Sequence, residues 1–408
     1  MIPFSPPYID EDIVEEVKDT LASGWITTGP KVRAFEALLK DYVEAPQVLC
    51  VNSATSGLML MLHWYGVGRG DEVIVPAYTY SATALAVLHV GATPVMVDVL
   101  DDFSIDPQAI ESAITSKTKA IIPVDFAGWP CDYQSLHDVC SKPAVKAMFQ
   151  ASDHPAQQQL GRILILSDAA HSIGAQYHGK RTGSLTDITV FSFHAVKNVT
   201  AAEGGAICLN LPAPFDNEAI FKFLKKISLN GQTKDALAKN EGGSWRYDID
   251  YAGFKMNMPD LGAAIGMAQL KKYESYMLPR RQEIYQLYER HLRQYSWLEL
   301  PPYKDHQRAS SCHLYPVRIK DVDESRRDQI IAELFNLGVS VNVHFIPMPM
   351  LSLFKSKGYR IDDYPNSFKL YSQEISLPVY PQLSNEQVET ICNALEQAYQ
   401  SNNVAKSS

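Results

Sequence analysis

The chain predicts an α/β fold, with a mainly parallel sheet covered by helices on both faces and a smaller α+β unit at its C-terminal end. Seven short apolar runs, at 48–51, 72–76, 94–99, 120–124, 163–168, 188–193 and 206–210, are interrupted by stretches long enough to hold helices. Strands that are apolar on both faces and separated by helices belong to buried parallel sheets rather than to half-solvated antiparallel ones. Beyond Tyr295 the texture changes, with apolar stretches at 314–319 and 339–345 and a helical pattern at 386–399. With 408 residues, 46% of them hydrophobic, the chain has ample material for a large core and for two units.

Taken in order, Ile13, Val14, Val17 and Leu21 form a helical stripe that ends at Gly24, a residue suited to the left-handed position after a helix. The run 48–51 is followed by the small-residue turn Asn52-Ser53-Ala54-Thr55-Ser56-Gly57 and then by the helical Leu58-Met59-Leu60-Met61-Leu62. A helix follows Pro259-Asp260, with Leu261, Ile265, Ala268 and Leu270 on one side, and Pro279 breaks or kinks it before about Arg293. Between Leu136 and Ile163 the long polar connection carrying Ser141-Lys142-Pro143 and Gln157-Gln158-Gln159 is expected to be a solvated excursion of about 15 residues. These patterns place a large unit at 12–270 and a small one at 271–400, with 1–11 packing against the small unit and 401–408 as a frayed tail.

A formal charge of −9 argues against nucleic acid or an anionic membrane surface as a main partner. The six cysteines form no CxxC pair, and several lie in apolar runs, so they read as reduced core thiols of a cytoplasmic protein. No signal peptide, membrane span or HExxH metal motif is expected. The P-loop-like 174–180 segment carries Arg181 where a Ser or Thr would have to hold magnesium.

Three segments carry chemistry. Lys197 stands just past the apolar run 188–193, before the glycine-rich Glu203-Gly204-Gly205. A lysine buried past a strand end loses its proton readily and becomes a nucleophile, which is what a pyridoxal 5'-phosphate (PLP) lysine requires. Asp168 closes the run 163–168, and a carboxylate there points into the crevice where open α/β sheets bind ligands. PLP needs such a carboxylate on its pyridine nitrogen; a helix N-cap is the alternative use. The turn 52–57 leads into a helix N-terminus, where backbone N–H groups and the dipole favour a phosphate, and Thr55 and Ser56 add hydroxyls.

Ser192-Phe193-His194-Ala195-Val196-Lys197-Asn198, Asp168-Ala169-Ala170-His171-Ser172-Ile173-Gly174, Asn52–Gly57, Gly24-Trp25-Ile26-Thr27-Thr28-Gly29-Pro30-Lys31 and Asp71-Glu72-Val73-Ile74-Val75-Pro76 occur in an order and spacing that resemble the DegT/DnrJ/EryC1/StrS family of sugar-nucleotide aminotransferases. The resemblance runs from about Pro3 to about Ala398. It implies the fold type I, aspartate aminotransferase-like architecture of PLP-dependent transferases. It also implies amino transfer from L-glutamate, giving 2-oxoglutarate, to a nucleotide-linked keto sugar, in a homodimer with shared active sites. The segments 24–31 and 191–198 are most similar to members that aminate C4.

Residue by residue, the resemblance makes Lys197 the Schiff-base lysine and proton carrier, Asp168 the partner of the pyridine nitrogen, and His171 a neighbour of the ring's phenolic oxygen. Tyr80 matches the aromatic residue that stacks on the ring, with Tyr78 as the nearby alternative. Ala54, Thr55 and Ser192 match phosphate-binding positions. The neighbouring subunit would complete that site from Gly253-Phe254-Lys255-Met256-Asn257, where either Lys255 or Asn257 could reach across. His344 matches a small-unit histidine near the substrate. Asp125 is a departure, since relatives carry His there. Two other readings, a PLP-dependent sugar dehydratase and a non-catalytic PLP-fold regulator, sit poorly with a chain that keeps both Lys197 and Asp168.

Overall fold

A computed structural model of the protein describes residues 1–233 and 246–404. Its centre is a seven-stranded sheet of β1 (Gln47–Val51), β2 (Glu72–Pro76), β3 (Thr93–Val97), β4 (Thr118–Ile121), β5 (Leu164–Asp168), β8 (Ile188–Ser192) and β9 (Gly205–Leu209), in the order β1-β9-β8-β5-β4-β2-β3. From β3 across to β8 all pairings are parallel, whereas β9 runs antiparallel to both β8 and β1. Strand β4 stops short of the expected Val124 because Pro123 has no N–H for a ladder; only an isolated bridge from Val124 to Asp168 continues it. Strand β3 ends at Val97, and Pro94 is tolerated in it because it is an edge strand.

The period of two along each strand divides the core between the faces. Leu164 and Leu166 of β5 pack with Leu58 and Leu62 of helix α3 (Ala54–Trp64), while Ile163 and Ile165 face Leu136, Cys140 and Val145. A third cluster joins Phe35 and Leu39 of helix α2 (Pro30–Val43) to Phe191, Phe193 and Met258. Each such side chain contributes roughly 1.5–3 kcal/mol on full burial.

Several expectations are corrected. In helix α1 (Glu11–Ala22) the buried positions are Ile13 and Thr20, while Val14 and Leu21 are exposed: the helix docks on 260–272 with only part of the apolar stripe. Gly24 does take the left-handed conformation beyond its end, at φ 71°. In the helix Asp260–Lys272 it is Ala263, Ala264, Met267, Ala268 and Leu270 that are buried, with Leu261 and Ile265 only partly covered, because the small residues let α2 approach closely. The helix passes through a π-helical turn, Tyr273–Met277, into Leu278–Leu292, with Pro279 in the first turn of the latter.

The 141–160 connection is largely exposed, as expected, but it is structured and anchored at Val145, Ala156 and Gln157. It forms helices Pro143–Met148 and Pro155–Leu160, and Gln157 is fully buried, donating to the carbonyls of Tyr65 (3.0 Å) and Gly66 (3.2 Å). A glutamine amide satisfied by two backbone carbonyls fastens the segment to the end of α3, at no unpaired polar cost.

A second core gathers Ile284, Tyr288 and Leu292 with Val317, Ile375, Leu377, Ile391 and Leu395 around a sheet of β10 (Leu298–Glu299), β12 (Tyr315–Ile319) and β13 (Glu374–Leu377). Ile2 packs into it and bridges to Val339. The hairpin β6 (Gln176–Tyr177) and β7 (Lys180–Arg181) joins β11 (Arg308–Ala309) in a third small sheet. The expected strand at 339–345 is an extended segment held by isolated bridges, and the last helix runs on through 401–404 rather than fraying at Ser401. Residues 405–408 of the expected tail lie outside the described residues. All six cysteines are buried free thiols.

Glu36 of α2 is buried, its carboxylate accepting from Cys50 N–H at 3.0 Å, and burial pushes its pKa up to about 7. A carboxyl raised on folding stabilises fully below its unfolded value near 4.3, and that contribution is lost as pH rises through the folded value. Glu36→Gln keeps the acceptor without the charge. Its melting temperature should therefore gain on the parent protein as pH climbs from about 4 to about 7, by at most about 3 kcal/mol of stability at 1.36 kcal/mol per unit. A constant gap across that range in thermal melts would contradict this.

Candidate active site

The ends of β5, β8 and β1 meet at one edge of the sheet because of its register. Asp168 pairs with Val190, two residues before Ser192; Ser192 pairs with Gly205, and Gly205 pairs in turn with Val51. This sets the turn after β1 beside the loop after β8. The approach is close enough that a Cβ on Gly205 would lie 2.7 Å from Ala54 N and Ser53 C, so only glycine fits between strand and turn. Ser53 caps α3 by accepting from Ser56 N–H at 3.1 Å, leaving the N–H groups of Ala54 and Thr55 at the open helix start.

These elements enclose a cavity of about 520 Å³, lined also by His344 and Phe345 from the C-terminal part of the chain. Lys197, Asp168, His171, Ser192, Ala54, Thr55, Tyr80 and His344 all line it, so the structure brings together eight of the ten positions expected from sequence. Lys255 and Asn257 do not line it. Asn257 donates from its side-chain amide to Thr28 Oγ at 2.6 Å, whereas the Lys255 side chain is exposed. Of the two tyrosines, Tyr80 is 63% exposed in the cavity, while Tyr78 is buried and donates to the His344 carbonyl at 2.5 Å.

Asp168 is buried at the cavity floor. Its carboxylate accepts from Thr83 Oγ at 2.8 Å and from Ala170 N–H at 3.3 Å. Burial raises its pKa, opposed by Thr83, the Ala170 N–H and the Lys197 charge. Lys197 is half-buried, and desolvation pulls its ammonium down to about 8 against the attraction of Asp168. A neutral amine is thus within reach near physiological pH. His171 Nδ1 accepts from Ala127 N–H at 3.2 Å, which leaves the proton on Nε2, and burial holds the ring well below the usual imidazole range.

Other residues of the site had no readable pattern. His313, ring to ring with His171 at 4.4 Å, pairs through Nδ1 with Asn198 Oδ1 at 2.9 Å; the Asn198 amide is directed to Tyr273 Oη and the Ser311 carbonyl. Phe345 lies 5.7 Å from the Tyr80 ring and 5.9 Å from that of His171. Asp125, at the departure from the family pattern, is not at the cavity. It is fully buried and accepts from Tyr133 Oη, Ser172 Oγ and Cys131 N–H, shaping the turn that carries Ala127.

The donor set fits PLP: a carboxylate buried for a protonated ring nitrogen, an amine with a lowered pKa, and an open helix start narrowed by Gly205 for a phosphate. Comparison with known proteins agrees. A model of the DegT/DnrJ/EryC1/StrS aminotransferase family matches residues 7–396. Spr1654 of Streptococcus pneumoniae, assigned as a sugar aminotransferase, aligns in its PMP form with a TM-score of 0.94 at 44% identity, covering 98% of this chain and 100% of that one. Its PLP form gives 0.93 at 42%, covering 98% and 99%. The spore coat polysaccharide biosynthesis protein SpsC of Bacillus subtilis is 36% identical over 399 residues, 97% of this chain and 96% of SpsC. Helicobacter pylori PseC, an aminotransferase of pseudaminic acid biosynthesis, aligns at 27% identity with a TM-score of 0.84, covering 98% and 99%. A match this complete, over a site that supplies amine, carboxylate and phosphate cradle together, means that the chain belongs to the DegT/DnrJ/EryC1/StrS aminotransferase family and is a PLP-dependent aminotransferase of fold type I.

Proposed function

We propose that the protein transfers an amino group from L-glutamate to the keto carbon, preferentially C4, of a nucleotide-linked keto-deoxy sugar. The product would supply lipopolysaccharide, O-antigen or other amino-sugar synthesis in the cytoplasm. The observation that carries this reading is the single cavity in which Lys197 and Asp168 face a helix start. The sugar class draws its support from Spr1654, SpsC and PseC. When bound, PLP supplies an electron sink that takes an amino group from a donor and passes it to an acceptor. Lys197 Nζ would hold the cofactor and carry the proton, Asp168 would keep its ring nitrogen protonated, and Tyr80 would cover the ring. His171 would stand near the ring oxygen, and the backbone at Ala54 and the hydroxyls of Thr55 and Ser192 would hold the phosphate. Binding of the remote nucleotide would orient the keto carbon, with His344 beside the sugar.

A panel of keto-sugar nucleotides with glutamate, followed by 2-oxoglutarate release, tests the reading. Amination confined to keto compounds without a nucleotide would overturn it. A dehydratase or regulator finds no support in a site that retains Lys197 and Asp168. The units are assigned as 12–270 and 271–400, with 1–11 on the second; the second core and Ile2 within it support this, whereas Tyr8 and 273–278 pack against the core of the first.

The homodimer completes the phosphate site. Among the described residues lining the cavity, Lys197 is the single Lys or Arg, so a dianionic phosphate lacks a dedicated cation among the described residues of one chain. A two-fold dimer in which each chain lends its 253–258 loop to the other supplies it, and the exposed Lys255 suits the role better than the engaged Asn257. Mixing Lys197→Ala protein with Lys255→Ala protein should restore activity through hybrid dimers that rebuild one intact site. No rescue after proven subunit exchange, or a fully active monomer, would count against sharing.

A further inference from the structure

His344 is tied to two buried residues that the proposed roles leave unused. On β13 the period of two puts Glu374 and Ser376 on one face, and both are fully buried. Backbone bonds between Asn342 and Ser376, at 2.8 and 3.3 Å, register the 339–345 segment against that strand. His344 N–H then donates to Glu374 Oε2 at 2.9 Å, Ser376 Oγ meets Glu374 Oε1 at 2.5 Å, and His344 Nδ1 meets Ser376 Oγ at 2.9 Å. The remaining ring nitrogen, Nε2, has no hydrogen-bond partner among the described residues, and His344 lines the cavity.

We propose that Glu374, Ser376 and His344 form a relay that exchanges one proton between the cavity and the buried Glu374 carboxyl through His344 Nε2, the imidazole being neutral before and after. Serine has one hydroxyl proton, so the chain has two consistent arrangements. With Glu374 protonated, its Oε1–H donates to Ser376 Oγ, Ser376 donates to His344 Nδ1, and Nε2 carries the imidazole proton. Loss of the Nε2 proton to a cavity base draws the serine proton onto Nδ1 and the carboxyl proton onto Oγ. The result is an ionised Glu374, a serine hydroxyl donating to it, an Nδ1–H, and a lone pair at Nε2. One proton leaves, three O–H or N–H bonds break, and two form.

The surroundings suit this. Burial pushes Glu374 up to about 8, against Ser376, the His344 N–H and the charge of Arg327, and it pulls His344 down to about 3, assisted by Lys197. Arg327 spends its Nη1 on the Tyr371 and Glu374 carbonyls (2.6 and 3.2 Å), and Tyr78 Oη bonds the His344 carbonyl. Of the other histidines lining the cavity, His171 and His313 are held neutral by burial, and His194 stands 3.6 Å from the Glu203 carboxylate. The relay rests on the proposed function only for the substrate step that its proton serves.

The test uses the full-length protein without substrate, labelled with ¹⁵N, and follows imidazole nitrogen shifts from about pH 6 to about pH 10. The His344 signals are assigned by their loss in His344→Gln. The proton should sit on Nε2 at the acid end and on Nδ1 at the alkaline end, with no imidazolium. In Glu374→Gln the His344 N–H claims the amide oxygen, so the NH₂ group must face Ser376 and the ring should stay Nε2–H throughout. Ser376→Ala, which keeps the carboxyl, should abolish the swap if the relay runs through the hydroxyl. A wild-type tautomer constant over the range, or an undiminished swap in Ser376→Ala, would overturn the relay. A swap seen in a protein that aminates no nucleotide sugar would overturn the functional reading and leave the relay standing.

Discussion

Lys197→Ala is expected to lower turnover by about 10⁴-fold or more, the largest loss of any single substitution, because it removes nucleophile and proton carrier together. Alanine cannot hold the cofactor, so the visible absorption of the bound PLP should shift to that of the free aldehyde. The cavity should still take up the cofactor, since the carboxylate of Asp168 and the helix start at Ala54 and Thr55 are untouched. Borohydride treatment of the wild-type holoenzyme followed by peptide mapping checks the assignment. A label on a lysine other than Lys197 would refute it.

Asp168→Ala should cost roughly 10²–10³-fold in turnover, the scale of removing a principal electrostatic stabiliser from a buried site. The Asp168 carboxyl sits with its pKa raised by burial, and a ring N–H⁺ would reverse that shift by supplying the missing positive charge. Wild-type protein should therefore gain thermal stability on adding PLP, and the variant should gain much less, as binding to the folded state alone predicts. Thermal melts with and without the cofactor measure this independently of turnover. Equal gains in both proteins would reduce Asp168 to a cap for the Ala170 N–H, the alternative use of such a carboxylate.

Much of the site was readable because its residues sit at strand ends and in short ordered segments. Lys197, Asp168 and the 52–57 turn declare themselves through apolar runs that stop at chemistry, and the sheet lines them up. Less was readable where tertiary contact decides. The antiparallel direction of β9 leaves no mark, since a strand buried on both faces looks alike either way. That Tyr80 rather than Tyr78 opens onto the cavity turns on the hydrogen bond to the His344 carbonyl that holds Tyr78 in the core. Glu374 and Ser376 lie thirty or more positions from His344 in the chain, and nothing local announces that an extended segment will register against β13. The polar composition of 141–160 concealed Gln157, whose burial depends on carbonyls at the far end of α3.

The placing of β1 at the sheet edge, with β9 as its one neighbouring strand in the sheet, sets a timetable for assembly on the ribosome. The first strand emerges early with a nearly continuous apolar surface, and apart from the Glu36 carboxylate that takes Cys50 N–H it has no partner strand until residues 205–209 have been synthesised. Until then its edges and apolar side chains are open to trapping, the usual hazard of a long-range pairing that pays its chain entropy before any reward arrives. The 52–57 turn that follows β1 likewise lacks the close approach of Gly205 during that interval, and Ile2 waits longer still for 338–340. PLP therefore cannot guide the early nascent chain. It can only reward one that has already brought its first strand back to β9.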